Sequence, residues 1–364
     1  MIKKIISTLL LSIILLTTVS CGGNSEPEPE PEEYYSSTFY TMDTVVTVKL
    51  ARDTGERDAE ENILYHDDSH LSSIIKECAD IATREESLLS RTDENSAVSE
   101  LNTQTDYFLK IDPELMSLIE EANLISDNTN GAFDITVGTL TELWNVTGEN
   151  TEVPSDESIE EALTHVGHDK VVTEGESLRK NDRNTKFDFG AIGKGYTLGK
   201  IIDYLKTTNV MYGLVSFGGN VGVFGAKQDG AGFKIGITDA SDTSKVSGYV
   251  FVDSGFVSVS GDYERFFISD RNKYCHIFDP STGRPADKDI SSVAVVCEDS
   301  SLADALSTAL FVKGSEGALE FYNSKTYEFE SVIQTKAGEL ILTEGLKNGS
   351  NFEKYTEPVE SAED

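Results

Sequence analysis

Basic residues are what this chain is short of. Its 364 residues carry 30 Lys and Arg against 64 Asp and Glu, a formal charge of −34. Nucleic-acid binding draws its affinity from phosphates neutralised by basic side chains, so this balance argues against a nucleic-acid partner. It describes instead a soluble, self-repelling surface. Cysteine is scarce as well: beyond Cys21 only Cys78, Cys275 and Cys297 occur. An odd number at irregular spacing makes neither a disulfide framework nor a CxxC zinc site, and burial as small apolar side chains is expected. Long apolar runs are confined to the N-terminus, where Ile5 to Leu16 is too short to span comfortably as a permanent helix. There is no internal repeat, and the single tryptophan, Trp144, is expected in the core.

The N-terminus instead has the layout of a secretory signal. Lys3 and Lys4 form a basic region, the apolar stretch follows, and the small residues Val19 and Ser20 precede Cys21. This is the arrangement of a bacterial lipoprotein signal over residues 1–20, with Cys21 as the lipid-bearing first residue. Thr18 departs from it, a Leu being commoner three residues before the cysteine. From Gly22 to Glu33 the chain alternates Glu and Pro, which cannot bury apolar surface, so residues 21–37 are expected to form an extended tether. A domain over 38–355 would then be held at the extracytoplasmic face of the cell membrane, with an acidic tail over 356–364.

Within the domain, Val46, Val48 and Leu50 alternate as in a half-buried strand over Phe39 to Leu50. Leu71, Ile74, Ile75, Cys78, Ile81 and Ala82 recur at helical spacing. Asp112 and Pro113 punctuate a second helix as cap and first residue, and a third starts near Lys194. From Val210 the chain turns strand-rich, interrupted by a helix over Ser301 to Phe311. Helices first and antiparallel-type strands later predict an α+β fold, not a doubly wound sheet.

Three separated motifs carry chemistry that no core requires. Asp304 and Thr308 lie four residues apart on one helical face, with Ser307 adjacent, and supply the hard oxygens that suit Mg²⁺ beside substrate phosphates. On its own such a pair occurs in many helices, but the neighbouring Ala303, Ala305 and Ala309 make a poor home for an unpaired carboxylate. Asp188-Phe-Gly-Ala-Ile-Gly-Lys194-Gly-Tyr196 sets glycines around a lysine just before a helix, where backbone and dipole favour phosphate. It is neither a P-loop nor a dinucleotide fingerprint. Gly131-Ala132-Phe133-Asp134-Ile135-Thr136-Val137-Gly138 places an acid among apolar residues after a turn, where an ordinary loop cap is the simpler account. His276 leaves a strand into the punctuated loop Ile277-Phe-Asp-Pro-Ser-Thr-Gly-Arg-Pro285, a suitable place for a general base. His66, His70, His165 and His168 lie in polar surface segments, and Arg265 can meet a phosphate or a carboxylate.

In order and spacing these motifs resemble the FAD:protein FMN transferases, the ApbE-type flavin transferases. Met42-Asp43-Thr44 looks like the family's Met-Gly-Thr, and Ser216 to Asn220, Ser260 to Phe266 and Ala303 to Phe311 follow in the expected sequence. The resemblance implies an α+β, duplicated T-fold-like single catalytic domain. It implies Mg²⁺-dependent transfer of FMN from FAD to a threonine hydroxyl of an exported redox protein, with release of AMP. Flavin contacts would fall on Met42, Ala132, Phe133, Asp134, Asp188, Lys194, His276 and Ile277. Metal ligands would fall on the Ala191 carbonyl, Asp304 and Thr308, with Ser307 nearby, and the acceptor's proton on His276. Two residues depart from the pattern: Asp43 replaces a glycine, and Thr92 stands where many members carry an aromatic. Water in place of threonine would make an FAD pyrophosphatase, and loss of turnover a flavin-binding lipoprotein.

Overall fold

A computed structural model describes residues 33–104, 108–148, 152–175, 177–349 and 351–355. Residues 1–32, with the signal, Cys21 and most of the tether, and the acidic tail lie outside the described residues. The centre of the fold is an eight-stranded antiparallel sheet whose strand order follows chain order. We number these strands β1 (Tyr34–Thr41), β2 (Thr44–Ala51), β3 (Tyr212–Phe217), β4 (Asn220–Gly225), β5 (Gly255–Gly261), β6 (Ile290–Cys297), β7 (Glu330–Thr335) and β8 (Leu340–Leu342). β1 takes in Tyr34 to Ser37, residues counted with the tether from sequence alone.

The helices are α1 (Asp68–Leu89), α2 (Ala97–Thr103), α3 (Pro113–Asn128), α4 (Gly138–Trp144), α5 (Asp156–Leu163), α6 (Gly193–Lys206) and α7 (Ser300–Ser324). The apolar stripes of α1, α6 and α7 join the inward-facing Val46, Val48, Val215, Val293 and Val295 in one core. Asp112 caps α3 by accepting from the Glu114 N–H, and Pro113 opens the helix. Cys78, Cys275 and Cys297 are free and buried, and burial pushes the Cys78 thiol up to about 12. The expected α+β class is what the chain adopts.

Three boundaries differ from the sequence expectation, each for a backbone reason. The run from Phe39 to Leu50 is a hairpin, because Met42 (φ 46°) and Asp43 (φ 57°) form a two-residue left-handed turn between β1 and β2. The run from Gly248 to Ser260, which reads along the chain as one strand of the strand-rich part, is two strands in different sheets, broken where Gly255 takes φ 103°. The helix expected to end at Phe311 continues to Ser324 through a break at Gly314 (φ 74°), after which Asp289 accepts from the Ser315 N–H and restarts it.

Two smaller cores flank the main one. One gathers α2, α3, Phe133, Phe187 and Phe189 with Ala305 and Ala309 of α7. The other gathers Leu140, Trp144, Ile159, Phe267 and Phe278. Trp144 is buried as expected, and its Nε1–H donates to the Gly283 carbonyl at 2.9 Å, tying α4 to the loop after His276. Among the described residues no helix is long and apolar enough to cross a membrane.

Candidate active site

Glycine is what lets α6 and α7 approach closely. A Cβ on Gly195 would lie 2.2 Å from the Ser300 carbonyl and 2.6 Å from Asp304 Cβ, so no other residue fits there. The approach sets Asp304, 2% exposed, against the N-terminus of α6. Its Oδ2 accepts from the Gly195 N–H at 2.8 Å, and its Oδ1 lies 3.4 Å from Lys194 Nζ. The helix N-terminus and the lysine thus give a carboxylate buried among alanines its partners.

Thr308, one turn along α7, lies 3.2 Å from Ser260 Oγ and faces the cavity described below. Ser307 does not. It is fully buried, donates to the Asp304 carbonyl at 2.8 Å and meets Ser260 at 2.7 Å.

The two glycine-containing loops are fastened side by side. The Asp188 N–H donates to the Ile135 carbonyl at 2.8 Å and Gly138 N–H to the Lys186 carbonyl at 3.1 Å. Asn102 clamps Phe187 from both sides, donating to its carbonyl at 2.8 Å and accepting from its N–H at 2.7 Å. Asp188 accepts from Gly190 N–H at 2.8 Å and pairs with Arg91 Nε at 3.3 Å.

Asp134 behaves as the simpler account had it. It accepts from the N–H and hydroxyl of Thr136 at 2.7 and 2.6 Å and from the His168 N–H at 2.8 Å, which folds its own loop. His168 also lies beside Asp127, and the two carboxylates raise its pKa to about 9. The group is raised in the fold, so its stabilisation is complete below the unfolded value of about 6.5 and is lost as pH rises through 9. A His168→Gln variant should therefore lower the thermal midpoint more at pH 6 than at pH 10, as scanning calorimetry would read.

These pieces line one cavity of about 760 Å³, set where the three cores meet. Met42, Ala132, Phe133, Asp134, Asp188, Ala191, Lys194, His276, Ile277 and Thr308 all line it. Of the residues singled out within the domain, Ser307 and Asp304 are absent from that wall, and Asp304 sits directly behind Lys194. The volume lies in the upper part of the range for cofactor pockets, roughly 300–1,000 Å³.

Met42 is held in its left-handed turn by Glu86, which accepts from its N–H at 3.0 Å and from the Thr41 hydroxyl at 2.8 Å. Such backbone costs on the order of 1–3 kcal/mol. Aspartate is among the side chains that tolerate it best, which accounts for Asp43 in a glycine's place. Thr92 lines the cavity too, so no ring is offered at that position.

His276 is half-buried, and its Nδ1 lies 3.2 Å from the Arg265 carbonyl. A carbonyl only accepts, so Nδ1 carries the proton and Nε2 keeps its lone pair. Burial, then the positive charge of Lys194, drive the imidazole down to about 4, leaving it neutral at physiological pH.

Sequence reasoning missed Glu86, Arg91 and Glu264. Glu264 lines the cavity near Lys194 and Asp304 with its side chain open to solvent, and the partial desolvation of its carboxyl by the cavity wall raises its pKa. A signal existed only for Glu264, inside the motif that also supplied Arg265.

Among the described residues no cluster of three His, Cys, Asp or Glu side chains is placed to hold a metal. A cage built from side chains alone is therefore not what this site offers. Asp304 Oδ1, the Thr308 hydroxyl and the Ala191 carbonyl are a hard, mixed oxygen set of the kind that Mg²⁺ shares with substrate phosphates, and they fit it.

Comparison with known proteins gives the family. Residues 42–333 match the model of the ApbE family. The FAD:protein FMN transferase of Treponema pallidum is 30% identical over 323 residues, 84% of either chain. That of Vibrio cholerae is 27% identical over 85% of this chain and 90% of the relative. The crystal structure of the ApbE protein of Thermotoga maritima superposes with a TM-score of 0.76 at 34% identity, covering 86% of this chain and 98% of that one. The apo form of the Pseudomonas stutzeri flavinyl transferase ApbE does so with 0.71 at 27% identity, covering 85% and 94%. With the motifs gathered round one cavity and the match running through nearly all of the described fold, the chain belongs to the ApbE family.

Proposed function

We propose that the protein transfers FMN from FAD to a threonine hydroxyl of an acceptor protein, in a Mg²⁺-dependent reaction that releases AMP. One observation carries the reading. A neutral histidine whose Nδ1–H is already committed to a carbonyl lines the same cavity as a lysine, a helix N-terminus and Thr308.

In this account the apolar side chains of Met42, Phe133 and Ile277 take the flavin end, and Lys194 with the first turn of α6 takes the diphosphate. His276 Nε2 accepts the proton as the threonine oxygen attacks the phosphorus of the FMN half. The P–O bond to the AMP phosphate breaks, a phosphoester to threonine forms, and AMP leaves. Mg²⁺, held by Asp304, Thr308 and the Ala191 carbonyl, would neutralise charge on the diphosphate as it divides. Asp188 and Arg91 brace the loop that presents the Ala191 carbonyl.

The relatives named FAD:protein FMN transferases support the flavin and the transfer. The N-terminal signal supports lipid attachment through Cys21 and an acceptor among exported redox proteins.

The test incubates purified protein with FAD, Mg²⁺ and a threonine-bearing acceptor domain and follows flavin by mass spectrometry. Equal yields of acceptor-bound FMN and AMP are expected. Free FMN with no labelled acceptor would replace the reading by FAD hydrolysis, and intact FAD would replace it by storage.

A further inference from the structure

The cavity holds one carboxylate more than the site described so far employs. Glu264 follows β5, the strand whose Ser260 meets Thr308, and lines the same cavity as Ala191, Lys194 and Thr308. Its charged neighbours are Lys194, Asp304 and Arg265. Its Oε1 lies beside Gly219, 3.4 Å from where a Cβ on that residue would sit. Among the described residues no hydrogen bond or close ion pair engages its carboxylate.

A carboxylate left free there opposes the binding of any diphosphate, unless a cation intervenes. Asp304 supplies little on its own, since Oδ2 is spent on the Gly195 N–H and only Oδ1 remains. Thr308 and the Ala191 carbonyl are neutral donors. A divalent ion in a concave site is better balanced by two negative oxygens than by one, and magnesium sites commonly use one or two carboxylates beside phosphate.

We propose that Glu264 is a further ligand of the divalent cation, which it would hold from the wall of the same cavity together with Asp304, Thr308 and the Ala191 carbonyl. The inference rests on the proposed cation site, and the charge count is what recommends it. Lys194 pairs with Asp304 at 3.4 Å and reaches Glu264 only through its charge, so a cation would supply the balance that Glu264 lacks.

The test measures Mn²⁺ affinity by calorimetry and by the loss of free-ion EPR signal, with and without FAD, independently of turnover. Glu264→Gln and Glu264→Ala should each weaken Mn²⁺ binding at least about tenfold, with thermal midpoints near that of the parent. Asp304→Asn should weaken it as well, and Ser307→Ala should not. Undiminished Mn²⁺ binding in both Glu264 variants, alongside loss in Asp304→Asn, overturns the proposal and leaves the cation site standing. Undiminished binding in all three carboxylate variants overturns the cation site itself.

Discussion

Replacing Asp304 by asparagine should cut flavin transfer by roughly 10²–10³-fold in kcat, the scale expected when one charge-stabilising group at a reacting centre is lost. The substitution keeps the side chain's shape and an oxygen able to accept from the Gly195 N–H, so the α6–α7 contact survives. What disappears is the charge that holds Lys194 Nζ at 3.4 Å and that would hold a cation against the diphosphate. Circular dichroism should be unchanged, with a modest fall in thermal midpoint because a buried amide then faces a lysine. Steady-state kinetics with Mg²⁺ titrated over a wide range would separate the two sources of loss. Partial recovery at high Mg²⁺ indicates weakened cation affinity, and no recovery indicates lost stabilisation of the reacting phosphates.

Replacing His276 by alanine should lower transfer by roughly 10²–10⁴-fold, the usual contribution of a positioned general base, while FAD affinity changes by only a few fold. The working form is the neutral imidazole. Because its pKa is held near 4, free enzyme keeps that form from neutral pH down to about pH 5, where an ordinary histidine would be largely protonated. Lys194, Arg265 and Asp188 are the charged groups acting on it, and the two cations outweigh the aspartate. A ¹³C-histidine NMR titration of the apo-protein would show one resonance, absent in His276→Ala, that titrates near 4, and a second, from His168, near 9. Bound diphosphate adds negative charge and should raise the first value, so the acid limb of kcat ought to lie above that of kcat/KM.

Much of this site can be read along the chain because each loop carries its own local chemistry. A glycine pair around Lys194, an acid after a turn and two oxygens one helical turn apart survive as patterns whatever surrounds them. The fold class was legible for the same reason, since helical spacing from Leu71 to Ala82 and alternation from Val46 to Leu50 are local. The hairpin turn at Met42 and Asp43 was not, because its left-handed backbone is enforced by Glu86 more than 40 residues away and not by a glycine or asparagine.

Position in sequence does not give side-chain direction. Ser307 neighbours both proposed ligands, yet turns into the core toward Ser260. Asp134 reaches the cavity wall with its oxygens already spent on Thr136 and His168. Glu264 shows the opposite failure. Nothing beside it in sequence reveals that Lys194 and Asp304 will be its neighbours.

The most direct measurement is an anomalous difference map from crystals grown with FAD and Mn²⁺. A single strong peak is expected about 2.0–2.3 Å from Asp304 Oδ1, Thr308 Oγ1 and the Ala191 carbonyl oxygen, touching the FAD phosphates. A peak bound elsewhere, or FAD phosphates seated in the cavity on Lys194 and Arg265 with no ion between them and Asp304, would contradict it.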